Sequence, residues 1–196
     1  MLRTDFERWT SFARSETHQW EKRARVIASF IRPTDTVLDL GAGQQTLRRH
    51  IPRSCGYIAV DCVDMLPGTF VVDFNAEFRL PEQPFNVIVS SGFIEYLEDR
   101  PAFMSKLTEA CDGKFFICSF YLKPDPLHSV NKPHSLADAE ASVSKYVRGL
   151  THVATFSNQP IFAGTLSKAP DDPARLDPLN NLLAPARRRR WYHFGR

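Results

Sequence analysis

Thr36-Val37-Leu38-Asp39-Leu40-Gly41-Ala42-Gly43 is a short apolar run that ends in an acid and opens into two glycines one residue apart. The aliphatic residues read as a buried strand, and the glycines let the backbone turn tightly and approach a ligand without side-chain bulk. Pro33, just before the run, closes the helix that precedes it. A second apolar strand, Tyr57 to Val60, ends in the same way at Asp61. A carboxylate can accept two hydroxyl protons at once, which no apolar residue can do. The strand, the glycine loop and the second strand-end acid together imply a cradle for an adenosine-bearing ligand.

Working outward from that stretch, helices and strands alternate. Leu2, Phe6, Trp9 and Ala13 fall at helical spacing, as do Trp20, Ala24, Ile27 and Ile31, so two helices are predicted before the first strand. Leu47 to His50 reads as part of a short helix stopped by Pro52. Further strands are predicted at 69–73, 85–90 and 114–120, with Asp99 as N-cap of a helix carrying Phe103, Leu107 and Cys111. Past a polar, Pro-containing loop over 123–135, the pattern predicts a helix over 136–149 ending at a glycine. Strands at 151–156 and 161–166 follow, joined as a hairpin through Ser157-Asn158-Gln159-Pro160. Five nearly continuous apolar strands separated by helices imply a parallel sheet covered on both faces, and the terminal hairpin adds an antiparallel strand.

The chain has 196 residues, 43% of them hydrophobic and fifteen of them Phe, enough for one core but not for a second full domain. The reading divides it into helices over 1–33 that pack on or lid the core, a core over 34–168, and a tail over 169–196. Arg3, Asp5, Glu7 and Arg8 stand where a signal peptide needs an apolar centre, and no apolar run approaches bilayer length. A cytoplasmic protein without an integral membrane segment is expected. Cys55, Cys62, Cys111 and Cys118 have no CxxC spacing, which favours buried reduced thiols over a disulfide framework or a zinc site, and no metal is expected.

Charge is unevenly placed. The segment from Ala169 onward holds six Arg against three Asp, a surplus equal to the formal net charge of +3, so the first 168 residues are balanced. The tail combines four prolines with Arg187-Arg188-Arg189-Arg190-Trp191-Tyr192, and reads as a flexible basic appendage. Such a terminus suits a nucleic acid or an acidic surface, or it serves only solubility. The balanced body offers no basic stripe to extend it.

The order of elements and the motifs resemble the class I methyltransferases that use S-adenosylmethionine, whose fold is a Rossmann-like, seven-stranded, mostly parallel sheet with an antiparallel terminal hairpin strand and helices on both faces. The resemblance covers about Trp20 to Lys168 and looks like the small bacterial members that act on small molecules, some in sugar pathways. It implies that Asp39, Gly41 and Gly43 receive the amino-acid end of the cofactor, that Asp61 with the adjoining Cys62 holds the ribose hydroxyls, and that Asp73 with Phe74 meets the adenine. Ser90, Ser91 and Gly92, at the end of the fourth strand, are expected beside the methionine part and the methyl group.

The family's glycine motif usually carries a third small residue where this chain has Gln45, a departure expected to be tolerated. The dinucleotide fingerprint GxGxxG fails at Thr46, and the charge of Asp39 would repel a pyrophosphate. For an acceptor hydroxyl a base would help, and His128 and His134, with Glu95, Tyr96 and Tyr121, are the candidates on the right loops. The Asn/Asp-Pro-Pro-Tyr/Phe signature of relatives that methylate planar amines is absent at Ser90-Ser91-Gly92-Phe93, which leaves a small-molecule acceptor, such as a hydroxyl of a sugar or other metabolite. The alternative is a catalytically inactive S-adenosylmethionine-binding scaffold whose basic tail recruits a partner.

Overall fold

The computed structural model of the chain describes residues 4, 6–13, 18–122, 132–156 and 158–169. His128 and all of the basic tail beyond Ala169 lie outside them. Seven strands form one sheet: β1 (Thr36–Leu40), β2 (Gly56–Asp61), β3 (Phe70–Val71), β4 (Val87–Ser91), β5 (Phe115–Ser119), β6 (Val147–Phe156) and β7 (Gln159–Leu166). Their order is β3-β2-β1-β4-β5-β7-β6. β1 to β5 pair in parallel, and β7 runs antiparallel between β5 and β6. Strand order reverses between β2 and β4 on either side of β1, and such a switch point opens a crevice at the carboxyl ends of the strands.

Successive residues of a strand face opposite sides, so each strand feeds two cores. Val37, Val87, Val89 and Ile117 pack under Ile27 and Ala28 of α2 (His18–Ala28), together with Leu47 and Ile51. Leu38, Leu40, Ile88 and Phe116 face the other side, where α3 (Arg100–Ala110) supplies Phe103, Met104 and Leu107, and α4 (Leu136–Ser144) supplies Ala139 and Val143. Asp99 caps α3 as expected, its Oδ1 accepting the Ala102 N–H at 2.9 Å. The short α1 (Phe6–Ala13) precedes α2.

The sheet is the one the sequence implies, but the connections are leaner. Among the described residues only α3 and α4 join strands as α-helices. β1 leads to β2 through a 3-10 turn, Thr46–Arg49, and no helix lies between β2 and β4. Gln45 enters that turn at φ 54, a left-handed conformation outside an α-helix, and Pro81 and Pro84 break the stretch before β4. α4 ends at Ser144 rather than 149. Gly149 does not stop the helix; at φ 62 it sits in β6 where the register shifts between Arg148 and Thr151, the mark of a bulge. Gly164 of β7 lies opposite, where a Cβ would stand 2.4 Å from Val147 Cγ1. β3 pairs over two residues only, not over 69–73.

Candidate active site

The strand ends open into a cavity of about 580 Å³. At its glycine-loop side, the N–H groups of Gly41 and Ala42 both donate to the Val60 carbonyl, at 2.9 and 3.0 Å, folding the loop across β2. Gly41 is at φ 71, and a Cβ there would meet Phe93 Cβ at 2.8 Å, so only glycine fits. At Gly43 a Cβ would meet nothing within 4 Å, because the space beside it is open. Asp61 fastens the loop: its Oδ2 accepts the Gly43 N–H at 2.8 Å and its Oδ1 the Val63 N–H at 3.2 Å. A carboxylate offers about four acceptor positions, so two remain for a diol. Burial pushes the neighbouring Cys62 thiol up to about 12, helped by the Asp61 charge.

Asp39 lies beneath the loop, 3% exposed, and accepts the Tyr57 hydroxyl at 2.5 Å. Burial pushes its carboxyl up to about 7; the charge of Asp61 adds to the rise, while the Tyr57 hydroxyl and Arg23 oppose it. A cation that arrives beside such a group favours its ionised form, so the carboxyl gives up its proton to solvent and pairs with the cation. Arg23 reaches in from α2. Its Nη1 donates to Gln159 Oε1 at 2.8 Å and its Nη2 to the Ser91 carbonyl at 3.3 Å, which stitches α2 to β7 and β4. Its Nε is buried with no hydrogen-bond partner. Gly92 makes room for it, since a Cβ there would stand 2.8 Å from Nη1.

Further along, past β3, Asp73 Oδ1 accepts the Thr4 hydroxyl at 2.9 Å and the Asn75 N–H at 3.0 Å. Phe74 is held edge-on by Phe93 and Phe103, at centroid distances of 5.8 and 5.0 Å. At the opposite end stands Glu95, 1% exposed. Its Oε1 accepts the Tyr121 N–H at 3.1 Å, and its Oε2 is buried without a hydrogen-bond partner. Burial pushes its carboxyl up to about 7, against backbone N–H bonds and the charges of Arg23 and Lys132, which favour ionisation. The Lys132 ammonium lies 4.8 Å from the centre of the Tyr96 ring and 5.2 Å from that of Tyr121.

The structure brings Asp39, Gly41, Gly43, Asp61, Cys62, Asp73, Phe74, Ser91 and Gly92 to one cavity, along with Glu95, Tyr96 and Tyr121. It does not bring Ser90 there: next to Ser91 on β4, Ser90 faces the α3 side, fully buried. His134 is exposed and is not among the cavity residues. Gln45 also stays out of the cavity; its Oε1 accepts from Arg48 at 3.2 Å, so the departure from the glycine motif does not narrow the pocket.

Arg23, Gln159, Lys132 and Thr4 line the cavity although the sequence reading assigned them no role. Arg23 was detectable, three residues after Trp20 and four before Ile27, a cation inside the apolar stripe of its helix. Nothing in the local pattern marks the others. Among the described residues no group of His, Cys, Asp and Glu could hold a metal ion, and no helix is long and apolar enough to cross a membrane.

A family model described as a methyltransferase domain matches residues 6–159, most of the chain. The chain belongs to that family: it is a class I methyltransferase, an enzyme whose cofactor is S-adenosylmethionine. Solved structures agree in fold. Human N-acetylserotonin methyltransferase in complex with S-adenosylmethionine superposes with a TM-score of 0.64 at 10% identity, over 83% of this chain and 56% of that one. Magnesium protoporphyrin IX methyltransferase from Synechocystis PCC 6803, with bound S-adenosylhomocysteine, gives 0.58 at 14% identity, over 84% and 95% of the two chains. A chain from the complex of the Haloferax volcanii Trm112 methyltransferase activator with a methyltransferase gives 0.59 at 15% identity, over 85% and 100%. No curated protein sequence matches the chain. This chain spans little more than half of the human enzyme's length, and at these identities the likeness is one of fold.

The donor set fits the cofactor. The open side of Gly43, the spare acceptor positions of Asp61, the buried Asp39 carboxyl and the unpartnered Arg23 Nε match a ligand that carries a diol, an ammonium and a carboxylate.

Proposed function

We propose that this enzyme methylates a small molecule at a hydroxyl, that of a sugar or other metabolite, with Glu95 as the base. One observation carries the reading: a buried carboxyl with an unpartnered oxygen, Glu95 Oε2, stands in the same cavity as the glycine loop. On this reading Asp61 takes the ribose hydroxyls, Asp73 and Phe74 flank the adenine, Asp39 takes the ammonium and Arg23 the carboxylate. S-adenosylmethionine, when bound, supplies a methyl group held on a cationic sulfur, which departs with the electron pair of the broken carbon–sulfur bond. Glu95 accepts the proton that the acceptor hydroxyl loses as its oxygen bonds to that carbon. A base near 7 is matched to neutral pH, where it is part ionised and still basic enough to help. The role falls to Glu95 rather than His134, which is exposed and off the cavity.

The strand order supports this division of the cavity. Neighbouring strands lie about 4.8 Å apart, so the ends of β2 and β5, three spacings from each other, are separated by roughly 14 Å. Asp73, Asp61 and the glycine loop follow β3, β2 and β1, whereas Glu95 and Tyr121 follow β4 and β5. The test is a labelled-methyl assay on fractions of a cell extract. Label on a small molecule, stable to base as an ether is, is the expected outcome; label on protein or RNA alone overturns the proposal.

A further inference from the structure

Gln45 carries a side chain at a left-handed backbone position, φ 54. A residue with a Cβ stays there only when its surroundings over-determine it, and such positions cluster where a site needs them. The side chain is 5% exposed; its Oε1 accepts from Arg48 Nη1 at 3.2 Å and its Nε2 donates to Thr69 Oγ1 at 3.5 Å. Arg48, so placed, lies over the Tyr57 ring, 5.7 Å from its centre. Tyr57 pairs with Val37 in the parallel ladder of β1 and β2, and Asp39 stands two residues further along β1 on the same face. The Tyr57 ring spans that step, so its hydroxyl meets Asp39 Oδ2 at 2.5 Å. Gln45, Arg48, Tyr57 and Asp39 thus form one chain of contacts, from the turn after the glycine loop to the carboxyl beneath it.

We infer that Tyr57 is a positioning residue for S-adenosylmethionine: its hydroxyl holds the Asp39 carboxylate aligned and ionised for the cofactor's ammonium, and Gln45 steadies Tyr57 through Arg48. This rests on the assignment of Asp39 to the ammonium proposed above. The charged and titratable groups that face Asp39 are Tyr57 and Asp61 from β2 and Arg23 from α2. Burial is the main force against the carboxylate and Asp61 adds to it; on the other side the Tyr57 hydroxyl acts more strongly than Arg23. Tyr57 does not compete for the charge. Burial, the Asp39 charge and the shared hydrogen bond keep its proton well above the ordinary tyrosine range, with Arg48 opposing, so the hydroxyl remains a donor throughout the neutral range. It occupies one acceptor position of the carboxylate and leaves others for a ligand.

The test is calorimetry of S-adenosylmethionine binding to the full chain at pH 6 and pH 8. Tyr57→Phe removes one oxygen and makes ionisation of Asp39 about tenfold harder, the worth of a hydrogen bond to a charged group. Affinity is expected to fall about tenfold at pH 6, where binding must first ionise the carboxyl, and by no more than about twofold at pH 8. A loss equal at the two pH values, or no loss, overturns the inference. Asp39→Asn tests the assignment beneath it. Affinity at least tenfold weaker at pH 8 is expected, and unchanged affinity would overturn the ammonium assignment itself. In Asp39→Asn, adding Tyr57→Phe should change nothing further; a pH-dependent effect that persists there overturns the role of Tyr57 alone. Gln45→Gly relieves the left-handed backbone and frees Arg48, so binding should weaken about threefold at pH 6 and hold at pH 8. If Tyr57→Phe fails to fold, Gln45→Gly decides, and a profile that coincides with wild type overturns the inference.

Discussion

At the residue scale, two carboxylates carry separable tasks. Asp61 ties down Gly43 and Val63 through both of its oxygens, so Asp61→Ala both loosens the loop and removes the acceptors assigned to the ribose. The expected result is cofactor affinity at least tenfold weaker in calorimetry, and unchanged affinity would show that the site has been misplaced. Glu95→Gln keeps the shape and the bond from Tyr121 but removes the base. Turnover is expected to fall 10²-fold or more with cofactor affinity kept. In the wild type, kcat should rise with pH through about 7, as Glu95 loses its proton, and this limb should vanish in the variant. Strand-end acids such as Asp39, Asp61 and Asp73 were legible because an acid closing an apolar run stands out. Ser90 was misplaced because a strand end has two faces, and a one-residue step exchanges the cavity for the core.

At the scale of elements, Arg23 makes α2 part of the site instead of a cover over it. Arg23→Met leaves Gln159 and the Ser91 carbonyl without their donor, a loss of about 1–3 kcal/mol in urea denaturation at pH 6. Without the guanidinium, Asp39 and Glu95 hold their protons more tightly, so the loss should be larger at pH 8, where ionisation is forced on them. A loss that does not depend on pH would mean that Arg23 does not communicate with the carboxyls. Helical periodicity revealed α2 but scored Arg23 as one more polar residue, because the stripe is read from apolar positions alone. The length of α4 was misread for a related reason. A glycine after a helical pattern suggests a cap, yet Gly149 serves a bulge whose cause, the close approach of β7 at Gly164, is 15 residues away in sequence. The short helix read at Leu47 to His50 is present over Thr46–Arg49, but its 3-10 form escaped because a turn entered by a left-handed Gln45 has no sequence mark.

At the scale of the whole molecule, a mostly parallel sheet with an antiparallel terminal strand was legible and the thermodynamic character of the crevice was not. Asp39 and Glu95 keep their protons up to about pH 7 in the fold but release them near pH 4 when unfolded. A raised pKa stabilises the fold fully below the unfolded value and is lost as pH climbs through the folded one. Glu21, held low mainly by its hydrogen bond with His50, acts in the opposite sense but lies at the surface. The ligand-free protein should therefore melt at a lower temperature at pH 8 than at pH 5.5, and Glu95→Gln should flatten the slope; a melting temperature that rises over this range would contradict the burial of both groups. Such a crevice spends stability on holding charge in readiness. The hydroxyl of Thr4 gives the molecule a different kind of control. It bonds to Asp73 and accepts from Asn75 at 3.1 Å, while Trp9, five residues on, rests against Tyr96. One short segment thus touches the Asp73 end and the Tyr96 end of the crevice together; under the proposed assignment these are the nucleoside and acceptor ends, and loosening the segment would be felt at both.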